Sequence, residues 1–207
     1  MVNVFARYRK HGPAPARGFS IIELMVTVAV AAVLIGLAIP SFRDLLISNK
    51  VMGTSTQLLG DLNVAKAEAV RRGSLVAVIS NSGTNDWSTG WHVETDGDFA
   101  GNGTFAAIPI ASGNDVLLRA NTGVDTSANY KVTTRLTTAA CASATTPQSD
   151  GMVIFNSQGN QPCNVNTFDI NICRPDSNPA RSKRITISAS GMVTTQASTT
   201  SSPAPGC

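Results

Sequence analysis

The chain has 207 residues, enough for one globular domain and an appendage, and only 14% of them are charged. Four of its 16 cations (Arg7, Arg9, Lys10 and Arg17) lie in the first 18 residues, where there is no acid, so the remainder carries twelve against 13 acids. The net charge of +3 belongs to the N-terminal segment, which excludes a chain-wide surface for nucleic acids or other polyanions.

The first element is RGFSIIELMVTVAVAAVLIGLAIPSF, residues 17–42. Leu24 to Ile39 has no charge, and with Phe19 to Ile22 it approaches the ~20 residues that span ~30 Å of hydrocarbon. A cleaved signal peptide would put its small-residue site after the apolar core. Here Pro40, Ser41, Phe42 and Arg43 follow the core, and the small residue, Gly18, precedes it. Glu23 stands near the head of the run, where an ionised carboxylate costs a few kcal/mol if left alone in a bilayer. A plain signal anchor has no use for that acid; it calls for a positive partner.

Beyond Pro40, Phe42, Leu45, Leu46, Met52, Leu58, Leu59, Leu62, Ala65 and Ala69 recur at mostly helical spacing. Arg71, Arg72 and Gly73 make a stop, with cations at the negative end of the helix dipole and a glycine for the left-handed cap. The pattern predicts one helix over 19–72, about 80 Å long at 1.5 Å per residue, with 19–40 as its membrane or filament-core half.

After Ser74 the period changes to that of strands: 75–80, 91–95, 115–120, 130–136, 151–156, 167–173 and 184–190, separated by Gly, Asn and Ser clusters. This predicts an α+β layout, one helix against an antiparallel β-rich head over 73–193, with 194–207 as a low-complexity tail. The cysteines, Cys141, Cys163, Cys173 and Cys207, form no C-x-x-C pair and have only His92 as a histidine beyond residue 18. They read as two disulfides of an oxidising compartment rather than a zinc site, with all three pairings open. Cys207, at the end of the tail, suggests that the tail is pinned back by a disulfide.

Arg-Gly followed by Phe-Ser-Ile-Ile-Glu at 17–23, then an apolar run and Pro40, resembles the class III signal of type IV pilins and type II secretion pseudopilins. The resemblance implies a leader of residues 1–18, cleavage after Gly18 by a prepilin peptidase, and methylation of the new N-terminal amine of Phe19. It makes Glu23 and Pro40 assembly residues. Ser20 and Ile21 depart mildly from the commoner threonine and leucine. The implied partner of Glu23 is a positive N-terminal amine, of its own or an adjacent subunit. Such a pair is far stronger at low dielectric than in water, and the need for it helps set register in the filament.

The stretches WSTGWHVETDGDFAGNG (87–103), AKAEAVRRGSLVAV and RITISASGMV resemble the GspH/FimT-type minor pilins, with a type IV pilin-like fold. That family implies a structural subunit of the tip or initiation complex of a type IV pilus or type II secretion pseudopilus. It implies a single-pass inner-membrane protein with a periplasmic head, whose partners are other minor pilins or pseudopilins and the major subunit. Some members bind DNA in natural transformation. The matching basic group here is Arg181, Lys183 and Arg184, near Arg174, with Ala180 where glycine is usual and Asp176 as the only nearby opposing charge. A cationic loop of this kind can reach phosphates.

Other chemistry is weaker. Glu94, Asp96 and Asp98 hint at calcium, but the twelfth position from Asp96 is Ala107 and not the closing glutamate an EF-hand requires. His92 lies between Trp91 and Val93 on a predicted strand, with no nucleophile motif, and is expected to be half-buried in the sheet. The acids at 86–98 would repel DNA from one side of the head. The sequence calls for no catalysis, metal or cofactor.

Overall fold

The structure is a computed structural model that describes residues 18–96, 115–136, 151–162, 167–198 and 207. The chain divides into two units, Met1–Arg43 and Asp44–Cys207.

In the first unit, helix α1 begins at Ile21 and continues to Arg72 in the second. Its start lies two residues beyond the predicted Phe19 because Ser20 acts as the cap. The Glu23 amide donates to Ser20 Oγ at 3.2 Å, and the Leu24 amide to the Ser20 carbonyl at 3.1 Å. Glu23 thus occupies the first turn, where the helix dipole favours an anion. The helix runs through Pro40, which has no amide to donate to the preceding turn. Phe19, Ile22, Met25, Val33 and Leu37 are all more than half exposed, a helix long and apolar enough to cross a membrane.

In the second unit, Val51, Leu58, Leu62, Ala65 and Ala69 form the buried stripe of α1. Helical spacing puts these side chains on one face, and each fully buried Leu or Val contributes about 1.5–3 kcal/mol. The helix ends as its sequence predicts: Gly73 takes φ +68°, and its amide returns to the Ala69 carbonyl at 2.9 Å.

Among the described residues, two four-stranded antiparallel sheets follow. The first has the order β3-β2-β1-β5, from β1 (Val76–Ser80), β2 (Gly90–Thr95), β3 (Val116–Thr122) and β5 (Met152–Phe155). The second has the order β4-β6-β7-β8, from β4 (Lys131–Leu136), β6 (Thr167–Cys173), β7 (Lys183–Ser188) and β8 (Val193–Ala197). Strand alternation sends Val76, Val78, Trp91, Val93, Val153 and Phe155 of one sheet into the same core as Val132, Phe168, Ile170, Ile172, Ile185 and Ile187 of the other. The opposite face of the first sheet carries a smaller cluster of Ala77, Ile79 and Ile154. A long helix packed on antiparallel sheets is the α+β, pilin-like layout that the sequence predicts.

Three readings change. Residues 194–197, the expected start of the low-complexity tail, join Val193 in the edge strand β8, because Val193 to Ala197 completes the antiparallel register of β7. His92 is not half-buried but fully buried, since β2 is buried on both of its faces. Glu94 and Asp96 do not form an acidic surface: Glu94 lies on β2, Asp96 just past its end with its amide on the Leu75 carbonyl at 3.0 Å, and both are buried, while Asp98 lies outside the described residues.

Candidate functional site

Three groups of residues carry the candidate chemistry. Gly18, Phe19 and Glu23 cluster at the start of α1, where Phe19 is exposed. The first turn sets Glu23 close in sequence to the amine that cleavage after Gly18 would create.

The second group is a buried carboxylate. Asp61 sits on the core-facing stripe of α1 between Leu58 and Leu62. It accepts from Trp91 Nε1 at 2.8 Å, Asn121 Nδ2 at 2.6 Å and an Arg119 guanidinium nitrogen at 3.1 Å. These donors come from β2 and β3, so Asp61 fixes the helix against one register of the first sheet. Gly90, just before Trp91, has φ +114°, and a Cβ there would stand 2.3 Å from the Asn121 carbonyl oxygen. The Gly-Trp pair read from the sequence thus has a physical cause: the glycine lets two strands close, and the tryptophan reaches the helix carboxylate.

The third group is the basic segment. Arg174 follows β6 and is 1% exposed. Its guanidinium pairs with Asp44 of α1, donates to Ser48 Oγ at 2.8 Å and pairs with Asp176 at 3.1 Å. Arg181 closes a 3-10 turn over Pro179–Arg181 and binds the other Asp44 oxygen at 2.6 Å. The Arg174 guanidinium, then Arg181, hold the Asp44 carboxyl below its ordinary value. Burial works against the charge of Arg174, but the bonds from Asp176 and Asp44 outweigh it and raise its pKa. Lys183 and Arg184 begin β7, one residue earlier than predicted. Arg184 is buried and donates to Asn171 Oδ1 at 3.1 Å.

The structure therefore does not gather Arg181, Lys183 and Arg184 into one exposed cationic loop. It brings Arg174 and Arg181 together on an acid 130 residues earlier in the chain. Asp44, Ser48 and Asp61 were not read from the sequence as site residues. Asp61 left a signal, a charge on a helical core stripe; Asp44 left none, because its partners are remote.

Cys173 is disulfide-bonded to Cys207, which pins the chain end beside Arg174, as the position of Cys207 suggests. Cys141 and Cys163 lie outside the described residues. Among the described residues, no cluster of His, Cys, Asp and Glu is arranged to hold a metal ion.

A search of curated protein sequences returned no match. Among solved structures, the type IV minor pilin FimU of Pseudomonas aeruginosa aligns over 77% of this chain and 96% of that one, at 19% identity and TM-score 0.49. A second crystal form of FimU gives 70%, 91%, 18% and 0.46 for the same quantities. The minor pseudopilin EpsH of the Vibrio cholerae type 2 secretion system gives 72%, 97%, 14% and 0.42. Residues 14–39 match the prokaryotic N-terminal methylation motif. Residues 54–191, about two thirds of the chain, match the family described as type II transport protein GspH, and this chain belongs to that minor pilin and pseudopilin family.

Proposed function

We propose that the chain is a non-catalytic minor pilin or pseudopilin, cut after Gly18 by a prepilin peptidase and methylated on Phe19. Anchored in the inner membrane with its head in the periplasm, it assembles into the tip or initiation complex of a type IV pilus or type II secretion pseudopilus. The observation that carries this reading is the first helical segment. It matches the methylation motif, its apolar side chains stand exposed, and Glu23 is its one acid, set in the first turn. Exposed apolar surface of this extent needs lipid or other helices around it, and Glu23 there needs a cation.

The test is Glu23→Ala in the native cell. Membrane insertion and leader cleavage should persist, while incorporation into sheared filaments or the secretion assembly should be lost. Normal incorporation of the variant would overturn the pairing of Glu23 with an N-terminal amine. The rival reading, a FimT-like DNA contact through Arg181, Lys183 and Arg184, draws less support, because Arg181 is engaged by Asp44 and Arg184 is buried on Asn171.

A further inference from the structure

We propose that Asp44 is a positioning residue for assembly: it clasps the segment 174–182 onto α1, and this clasp, rather than a phosphate, is what the C-terminal arginines serve. The inference rests on the assembly role proposed above and adds the element of the head on which that role depends.

The geometry is specific. Each Asp44 oxygen takes a different guanidinium, Oδ1 from Arg174 and Oδ2 from Arg181. The Arg174 side chain spends its three kinds of nitrogen on three separate acceptors: Asp176, Ser48 and Asp44. Its backbone amide donates to Ser182 Oγ at 3.2 Å, and that hydroxyl donates to the Asn178 carbonyl at 2.8 Å. The Ser182 carbonyl accepts from the Ser198 amide at 2.9 Å, which ties in the end of β8. One carboxylate on α1 is thus the anchor of a closed set of bonds over residues 174–182.

A guanidinium 1% exposed stays charged, so its buried donors must be matched if the burial is not to be costly. Two of its three partners, Asp44 and Ser48, lie one helical turn apart on α1, so the buried charge holds this segment to the helix rather than to the sheet. Asp44 comes four residues after Pro40, at the first turn of the head unit. A subunit lacking the clasp would keep its core, its leader site and its membrane segment. It would lose the fixed surface that the segment 174–182 presents beside the helix.

The test uses the full chain expressed in cells that assemble the filament, as wild type, Asp44→Asn, Asp44→Glu and Glu23→Ala. Wild type must enter the filament fraction and Glu23→Ala must not; wild type absent from filaments overturns the assembly reading itself, before any Asp44 result. Asp44→Asn should keep leader cleavage, membrane insertion and the Cys173–Cys207 bond. Its amide hydrogen exchange over 174–182, and its exclusion from filaments, should each rise by about tenfold or more, the scale for leaving the buried Arg174 guanidinium without one of its charged partners. Asp44→Glu, which retains the charge, should restore most incorporation. Overturning results are Asp44→Asn with faster exchange but normal incorporation, Asp44→Asn with unchanged exchange, or no rescue by Asp44→Glu.

Discussion

The indole nitrogen of Trp91 donates to the Asp61 carboxylate at 2.8 Å, across the seam between α1 and the first sheet, and both residues are buried. Neither tolerates loss of the other cheaply. Asp61→Ala leaves the Trp91 and Asn121 donors without their acceptor and opens a void, and should cost about 3–5 kcal/mol. Urea unfolding of the purified chain should show the midpoint shift at unchanged slope. Trp91→Phe removes only one donor and should cost less than Asp61→Ala.

Gly90→Ala is expected to be severe for a neutral, small change. The residue sits at φ +114°, and the new Cβ would press on backbone, the Asn121 carbonyl at 2.3 Å, which cannot swing away. Strain of this kind costs on the order of 1–3 kcal/mol for the backbone alone, with the clash added. Thermal unfolding should fall well below wild type, and an unchanged midpoint would sink this account of the Gly-Trp pair.

Cys207→Ser tests the chain-end bond. The Cys173–Cys207 bridge closes a loop with a sequence separation of 34. In the chain-entropy description such a loop is worth about 3–4 kcal/mol. Denaturant unfolding should register most of that loss, with the strand register of β6 and β7 retained by circular dichroism and exchange protection.

Acid should loosen the helix-to-segment contacts before it unfolds the core. Within α1, bonds from Arg71, then Arg72, hold Glu68 at about 2; at the segment 174–182, Arg174 holds Asp44 below the ordinary carboxylate range, and at Asp176 burial pushes the carboxyl up but the bond from Arg174 outweighs it. Carboxylates depressed in the folded state contribute stability above their unfolded values of 3.8 for Asp and 4.5 for Glu. That contribution is lost as pH falls through the folded values. Amide exchange over 174–182 should therefore rise as pH falls below about 4, while the buried core strands β1 and β6 stay protected. Asp44→Asn should remove much of this pH dependence.

The sequence by itself determined the local elements. The spacing of Leu58, Leu62, Ala65 and Ala69, the stop at Arg71-Arg72-Gly73 and the alternation in 75–80, 91–95 and 167–173 depend on near neighbours, so they could be read directly. The start of α1 was legible to within two residues for the same reason, and only the bond to the Ser20 hydroxyl placed Glu23 in the first turn. What the tertiary structure alone decided were pairings between remote residues. β8 looked like a tail because its Thr- and Gln-rich composition is indifferent, and only the register of β7 makes it a strand. Glu94 and Asp96 look like surface acids because charge predicts exposure on average, yet β2 is buried on both of its faces and takes Glu94 with it, and Asp96 just beyond the strand is buried too. The arginines of 174–184 looked like a loop for phosphate because only Asp176 stood near them in sequence. Asp44, brought to Arg174 and Arg181 by the packing of α1, supplies the missing charge, and Coulomb attraction acts through space, not along the chain.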